Sequence, residues 1–463
     1  MSAISPTPEP IGSVVDPAES VSAKSLRKSV VAGSIGVLVH WFDWAVYAYM
    51  AGTIAVVFFP EANHTAGLLA AFAVFAVSFL VRPIGAVIFG RLGDRLGRKV
   101  TLSVVIIAMA VATLALGLLP GYETIGILAP ILLIVTRVVQ GLAAGGEFGS
   151  AAAFLGEFSP RKRRGFGCSW LEFGSLLGFL LASFAVFLLN QAFPGDVILA
   201  WAWRIPFLFT ALLGVVGLYI RLKIEDTPDF EQLKELQAVS HAPVKEVFQR
   251  NRREFLQTCG IEIFMNVTFY VVLVYLLTYQ EETIGFDAGR AALLSTLASA
   301  LGLIIVPLAG IASDRLGRKP VLMFAAVAQT LLAVPLFLLM QVGTDSAVFI
   351  STFGLAFLLA IVLGTHAVTV VELFPTRTRQ TGLSIAYAVT AALFAGTAPY
   401  LLTWLISLTH DALVPGWFLL VVGLVGVVTV WTIPETRGIS LIKAQDLNTS
   451  TVQLPPMRVA KRS

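Results

Sequence analysis

The sequence predicts an all-α membrane protein with twelve transmembrane helices in two six-helix, pseudo-symmetric bundles. Apolar runs of about 20 residues, each long enough to cross about 30 Å of hydrocarbon, recur along the 463-residue chain. Only 13% of the residues are charged, and 57% are hydrophobic. A ten-residue polar segment at 90–99 recurs at 310–319, about half the chain away. A duplicated membrane bundle accounts for these observations.

The apolar runs set the boundaries of the two predicted bundles. The N-terminal bundle occupies 30–222 and the C-terminal bundle 254–433. Between them, the polar stretch 223–253 is predicted to be a partly helical cytoplasmic linker. Residues 1–29 and 434–463 are predicted to be disordered cytoplasmic tails. The twelve spans are 30–52, 66–89, 99–119, 124–156, 166–190, 201–222, 254–280, 289–312, 319–341, 346–373, 380–406 and 412–433.

The basic residues indicate how the chain is oriented. Of the 32 Lys and Arg residues, 28 fall on one side of the membrane in the twelve-span scheme. By the positive-inside bias, that side is cytoplasmic and carries both termini. The pI of 9.1 therefore reflects the basic residues on one side of the membrane. The expected partner is the lipid bilayer, and no nucleic-acid partner is expected.

Two pairs of polar motifs repeat at nearly the same offset. One pair is 90–99 with 310–319, and the other is Glu157 to Arg164 with Glu372 to Arg379. In the 90–99 and 310–319 segments, glycines permit tight turns, and an aspartate can accept from the N-terminal amides of a neighbouring helix. The basic residues of these segments can bind carboxylates or lipid phosphates. Together these residues could form a gate between the halves. The simpler interpretation is that the basic residues only set the membrane topology. The predicted gate residues are Gly90, Asp94, Arg95, Gly97, Arg98, Asp314, Arg315, Gly317, Arg318, Glu157, Arg164, Glu372 and Arg379.

These motifs resemble those of the major facilitator superfamily, and in particular its metabolite:proton symporter branch. The resemblance extends over about residues 30–437. The positions that carry it, beyond the 90–99 segment, are Leu133, Arg137, Gln140, Gly141, Gly145, Gly146, Glu147, Glu157, Pro160, Arg164, Trp201, Trp203, Arg204, Pro206, Glu372, Pro375 and Arg379. Residues 169–175 and 266–270 look most similar to the proline/betaine members.

The resemblance implies uptake of a small polar metabolite with protons, by alternating access, in the cell membrane of a bacterium. It implies that the gate charges lock the cytoplasmic side in the outward-open state. It also assigns Arg137 to proton handling or anion binding. A monomer without cofactor or metal is expected. No nucleotide-binding loop, metal cluster or nucleophile–base pair is recognisable in the sequence, so an enzyme is not expected.

Six charged residues are candidates for deep positions inside the predicted spans, away from the span ends. An unpaired charge at mid-membrane costs about 2.5–3.5 kcal/mol, so such residues mark function. Two arginines face four carboxylates, which favours proton uptake by at least one carboxylate. Five of the six lie in the N-terminal half, so coupling is predicted to reside there. The six are Asp43, Arg82, Arg137, Glu147, Glu172 and Glu262.

Helical spacing groups these residues into stripes. His40, Asp43 and Tyr47 share one face of the first span among aromatic residues, a pattern that suits a cation. Glu262, Asn266 and Tyr270 share one face of the seventh span and are predicted to face the first half across a cavity. His366 is interpreted as a satisfied packing residue, with a proton relay as the alternative. The predicted substrate and proton pathway is Asp43, Tyr47, Arg82, Arg137, Gln140, Glu147, Glu262, Asn266 and Tyr270.

Several alternatives remain open at this point. Arg137 pairs with Asp43, with Glu147 or with the ligand, and Arg82 is close enough to the cytoplasmic end to snorkel. The excess of acidic residues favours a zwitterion such as proline or betaine. Two arginines would instead suit a mono- or dicarboxylate such as α-ketoglutarate, citrate or shikimate. An exporter is less expected, because residues 174–178 lack the proline of the antiporter motif.

Overall fold

The computed structural model describes residues 23–60, 64–222 and 242–441, and these are almost entirely helical. The N-terminal half contains α1 (Ala23–Tyr49), α2 (Ala51–Phe58), α3 (His64–Leu80), α4 (Arg82–Leu96), α5 (Arg98–Leu118), α6 (Tyr122–Ile125), α7 (Leu128–Phe158), α8 (Arg164–Ala192), α9 (Gly195–Val197) and α10 (Arg204–Leu222). The C-terminal half contains α11 (Pro243–Arg250), α12 (Arg252–Phe269), α13 (Leu276–Thr278), α14 (Ala288–Leu316), α15 (Arg318–Met340), α16 (Asp345–Leu373), α17 (Arg379–Thr390), α18 (Ala398–Thr409) and α19 (Val414–Thr432).

Nine helices within the described residues are long and apolar enough to cross a membrane, and two bent pairs raise the number to eleven. The bent pairs are α1 with α2, at 65°, and the segment Gly195–Ala202 with Arg204–Val216, at 44°. The predicted span 380–406 corresponds to α17 and α18, which are separated by a π-helical turn at Ala391–Ala395. This arrangement is consistent with twelve spans.

Several predicted boundaries need correction. Helix α1 begins at Ala23, so the last residues of the predicted N-terminal tail are helical. The start of the predicted C-terminal tail is ordered as far as Leu441, which is 1% exposed. The predicted linker contains α11, as expected of a partly helical segment. The remainder of the predicted tails and linker, at 1–22, 223–241 and 442–463, lies outside the described residues.

The two repeated polar segments have the same backbone turn. Gly97 ends α4 with φ 105°, and Gly317 ends α14 with φ 110°. Both values lie in the region that favours glycine, and in each case the next helix begins one residue later. The turn places an aspartate just before each helix end and an arginine just after it.

The halves make many of their contacts at the end that carries the two repeated segments. Helix α8 packs against α14 and α16, while α4 and α7 pack against α17. The first glycine of each repeated segment lies where the helices cross. A Cβ at Gly90 would lie 2.8 Å from the Thr381 Cα, and one at Gly310 would lie 2.7 Å from the Gly165 carbonyl oxygen. The end that carries the repeated segments is therefore closed by close backbone contact.

Candidate functional site

A hydrogen-bonded network joins α1 to α7 inside the N-terminal half. The Gln140 side-chain amide donates to Asp43 Oδ2 at 3.0 Å and to Thr113 Oγ1 at 2.8 Å. The Arg137 guanidinium donates to Gln140 Oε1 at 2.8 Å and to Asp43 Oδ2 at 3.4 Å. It also lies 3.6 Å from the ring centroid of Tyr47, whose hydroxyl donates to a backbone carbonyl of α3. Arg137 thus pairs with Asp43 and not with Glu147.

Glu147 instead pairs with His40. His40 Nδ1 lies 2.8 Å from Glu147 Oε2, and both side chains are less than a tenth exposed. Like the Asp43 network, this pair connects α1 and α7 within one half. It leaves Glu147 at the edge of the central cavity.

The central cavity lies between the two halves at mid-depth. Its volume is about 20 Å³, which is room for about one water molecule. Aromatic contacts between the halves close it, including Trp41 with Phe269 at 5.4 Å and Phe79 with Tyr270 at 6.0 Å. Its lining includes His40, Trp41, Arg82, Glu147, Phe148, Glu172, Asn266, Phe269, Tyr270 and Tyr387.

Arg82 is the cavity's cationic group. The side chain is only 1% exposed, so it does not snorkel to the surface. Its guanidinium carbon lies 4.2 Å from the ring centroid of Trp44 and 4.0 Å from that of Phe79. Its Nε and Nη2 atoms are buried without a hydrogen-bond partner among the described residues. A guanidinium with unused donors in a closed cavity is suited to bind a carboxylate.

The C-terminal half supplies a polar and aromatic wall. Asn266 and Tyr270 line the cavity as predicted, and Asn266 donates to Thr390 Oγ1 at 3.4 Å. Tyr387 stacks on Phe148 of the other half at 4.2 Å. Glu262 is not part of this lining, so the prediction that it faces the first half across the cavity is wrong. Its side chain lies against α16.

Glu262 belongs to a buried cluster with Glu172 and His366. His366 Nε2 lies 3.1 Å from Glu172 Oε1, and His366 Nδ1 lies 3.6 Å from Glu262 Oε1. His366 therefore has an acidic partner on each side, which is compatible with its interpretation as a satisfied packing residue. In the sequence, the signal for this cluster is the pair of acidic residues in apolar spans, since each needs a cation or a proton.

At the end that carries the repeated segments, α4 contacts the start of α17 through one carboxylate. Asp94 accepts from the backbone amides of Gln380 at 3.2 Å and Thr381 at 2.8 Å. These amides are among the unsatisfied donors at a helix N-terminus, where negative charge is stabilised. Arg98 lies 3.3 Å from Asp94 and donates to Glu157 at 3.1 Å.

The second copy repeats this geometry between α14 and α8. Asp314 accepts from the backbone amides of Gly165 at 2.8 Å and Phe166 at 2.9 Å. Arg318 donates to Asp314 at 2.8 Å and to Glu372 at 3.1 Å. The two aspartates thus hold the first turn of a helix from the opposite half.

The halves also exchange arginines. Arg379 of the C-terminal half donates to Glu157 at 2.6 Å, and Arg164 of the N-terminal half donates to Glu372 at 3.0 Å. All four side chains are fully buried. The remaining predicted gate residues, Arg95 and Arg315, are exposed.

The chain after α19, residues 434–441, crosses the predicted gate as a non-helical segment with a turn at Arg437–Gly438. Thr436 donates to Glu372 at 2.7 Å. The carbonyl of Ile439 accepts from Arg164 at 3.1 Å, and that of Leu441 accepts from Arg379 at 2.9 Å. Both exchanged arginines therefore receive an acceptor from the segment 434–441, which the sequence assigned to a tail.

Comparison with known proteins gives consistent matches. The Major Facilitator Superfamily model matches residues 33–389 and 263–455. The proline/betaine transporters of Salmonella typhimurium and Escherichia coli K12 are each 37% identical over 423 residues, which cover 89% of this chain and 84% of theirs. A glycine betaine/proline/ectoine/pipecolic acid transporter of Dickeya dadantii has the same identity and coverage.

Solved structures share the fold at low identity. The proton:xylose symporter XylE bound to 6-bromo-6-deoxy-D-glucose has a TM-score of 0.77 at 17% identity, over 90% of this chain and 98% of that one. The inward open conformation of XylE from E. coli has a TM-score of 0.62 at 18% identity, over 91% of this chain and 99% of that one.

Proposed function

Because the chain belongs to the Major Facilitator Superfamily, we propose that it is a secondary active transporter that takes up a zwitterionic osmolyte, such as proline or betaine, together with protons. Relatives at 37% identity carry the name proline/betaine transporter. The chemistry of the central cavity supports the same class of substrate.

The observation that carries the proposal is the unpaired Arg82 in a cavity that also contains carboxylates and aromatic rings. The substrate carboxylate binds the free donors of Arg82. The positively charged nitrogen faces Glu147 and Glu172 and the rings of Trp41 and Tyr270, since aromatic faces attract quaternary ammonium groups. A zwitterion thus gives Arg82 a counter-charge and places its own cation beside the acidic side of the cavity.

A mono- or dicarboxylate is the second candidate. A dicarboxylate is best bound by two free arginines. Arg137 already donates hydrogen bonds to Asp43 and Gln140, so it is not free. Only Arg82 then remains, beside two carboxylates that repel an anion. This balance favours the zwitterion.

The coupled proton is assigned to Asp43. Its Oδ1 atom has no hydrogen-bond partner among the described residues, and its other oxygen faces Arg137 and Gln140. Protonation of Asp43 frees Arg137 from its counter-charge, so proton binding changes how α1 and α7 hold together. The cytoplasmic gate stays closed while the proton and substrate enter from the outside.

The remaining features of the proposal concern the cell. The transporter acts as a monomer in the inner membrane of a bacterium, with both termini in the cytoplasm. The 28 cytoplasmic Lys and Arg residues in the twelve-span scheme support this orientation.

Substrate counterflow in proteoliposomes tests the proposal. The purified protein is reconstituted with unlabelled substrate inside, and labelled betaine, proline, α-ketoglutarate or citrate is added outside. We expect exchange of betaine or proline only. Exchange of the carboxylates without the zwitterions would replace the proposed substrate with the second candidate.

A further inference from the structure

The cluster of Glu172, His366 and Glu262 joins the two halves. Glu172 lies on α8 of the N-terminal half, whereas His366 on α16 and Glu262 on α12 belong to the C-terminal half. The imidazole lies between the two carboxylates, 3.1 Å from Glu172 and 3.6 Å from Glu262. Phe148 stacks on the imidazole ring at 5.7 Å. The cluster is a second ionisable site, distinct from the Asp43 network.

The charges of the cluster do not balance without a proton. His366 and Glu262 are fully buried, and the Glu172 side chain is 6% exposed. Within the described part of the chain, neither Lys nor Arg forms an ion pair with them. An imidazolium with two carboxylates carries one net negative charge, and one more proton makes the cluster neutral. Other titratable or charged groups on the surrounding helices are Arg82, Glu147, Cys259, Tyr270 and Tyr387.

The cluster lies between the cavity and the cytoplasmic gate. Glu172 is about two turns from the cytoplasmic start of α8, and His366 is about two turns from the cytoplasmic end of α16, or about 11 Å in each case. Glu172 lines the cavity, while His366 and Glu262 lie outside its lining. A proton can therefore enter from the cavity through Glu172 and continue to the other two groups.

We propose that Glu172, His366 and Glu262 form a proton-binding site that releases one proton to the cytoplasm when the cytoplasmic side opens. This deepens the proposed proton-coupled function and rests on it. In the closed arrangement the cluster holds two protons and is neutral. When α8 separates from α16, Glu172 leaves His366 and water enters. One O–H or N–H bond of the cluster then breaks, and its proton passes to water.

Linkage gives the sign of the pH dependence. The closed arrangement binds one proton more than the open one, so acid favours closure and alkali favours opening. The effect needs no substrate, because the cluster bridges the halves directly.

Cys168 on α8 provides a reporter of opening. It is fully buried in the closed interface, and the adjacent Ser169 contacts Gly310 of α14. The chain has two cysteines, so Cys259→Ser leaves Cys168 alone. The N-ethylmaleimide alkylation rate of this protein in detergent, without substrate, is measured at pH values of about 6 and about 8. Each rate is divided by the rate for denatured protein at the same pH, which corrects for the change in thiol ionisation with pH.

We expect the normalised rate to rise at least about tenfold with pH, since release of one proton shifts the opening equilibrium by up to about tenfold per pH unit. Glu172→Gln, Glu262→Gln and His366→Gln should each reduce the rise to less than about twofold. His410→Asn, at an exposed histidine that already has positive φ, is the control and should keep it.

A constant normalised rate in the parent protein, or an unchanged rise in all three variants, would overturn the proposal. If His366→Gln does not yield monodisperse protein, Glu262→Gln decides, because glutamine keeps the size of the side chain. The assay contains no substrate. A failed counterflow assay with a pH-dependent Cys168 would therefore remove the proposed substrate and leave the proton site standing.

Discussion

At the residue scale, Arg82 determines what the cavity can bind. Transfer of a guanidinium out of water costs several kcal/mol. The rings of Trp44 and Phe79 offset part of this cost, about 2 kcal/mol each for desolvated cation–π pairs. A ligand carboxylate that accepts from the buried Nε and Nη2 atoms would offset the rest of this desolvation cost.

Arg82→Gln should weaken substrate binding by about 10- to 100-fold, since hydrogen bonds to charged groups contribute about 1.5–3 kcal/mol. Arg82→Lys should recover part of the loss, because lysine keeps the charge but not the paired donors. The half-saturating concentration in counterflow measures this. Arg290→Gln, at an exposed arginine outside the cavity, is the matched control. An unchanged half-saturating concentration for Arg82→Gln would exclude the residue from the binding site.

Asp43 and Arg137 should be needed for proton-driven accumulation but not for exchange. Asp43→Asn cannot exchange a proton, and Arg137→Lys loses the planar donor set that holds both Gln140 and Asp43. We expect both variants to reach the membrane and to keep counterflow while losing accumulation against a gradient. Accumulation equal to wild type in both would remove these two residues from the coupling mechanism.

The residue scale also shows the limit of sequence reasoning. Spacing predicted that Asp43 and Tyr47 share a face, because the period of a helix fixes local neighbours. It could not pair Glu172 with His366, since the two lie on helices of opposite halves. It misplaced Glu262 for a similar reason: its stripe with Asn266 and Tyr270 is real, but only the latter two reach the cavity.

At the element scale, the gate holds helix N-termini of one half with carboxylates of the other. Asp94 binds the first turn of α17, and Asp314 binds the first turn of α8. The repeat in the sequence predicted two equivalent carboxylates. The exchange of Arg164 and Arg379 between the halves was not predictable, because it depends on which helices cross.

Asp314→Asn should favour the cytoplasm-open state. The substitution leaves Arg318 facing one carboxylate fewer and weakens acceptance from two backbone amides. Breaking a buried pair costs about 3–5 kcal/mol, or about 100-fold or more in the closed population. Alkylation of Cys168 in the Cys259→Ser background should accelerate accordingly. The neighbouring exposed Arg315→Gln is the control, and equal rates for the two variants would contradict the gate assignment.

The segment 434–441 shows what periodicity cannot detect. It has no apolar repeat, and its carbonyls bind Arg164 and Arg379 through the backbone. Backbone acceptors are present in every sequence, so nothing distinguished this segment from a free tail. Its contacts with the predicted gate depend on where the fold places Arg164 and Arg379.

At the scale of the whole molecule, the predicted gate is symmetric and the proposed transport site is not. The duplicated segments predicted the fold, because each half supplies one copy to the contact between the halves. The asymmetry of the buried charges predicted coupling in the N-terminal half. The Asp43 network fits that prediction, whereas the Glu172–His366–Glu262 cluster extends the ionisable groups across both halves.

The central claim is proton-coupled uptake of a zwitterion, and accumulation driven by a pH gradient tests it most directly. Proteoliposomes with an alkaline interior receive labelled betaine or proline, and a pH-sensitive dye inside reports proton entry. The account predicts accumulation above the external concentration, simultaneous acidification of the interior, and loss of accumulation with a protonophore. Equilibration without accumulation, or uptake that leaves the internal pH unchanged, would contradict it.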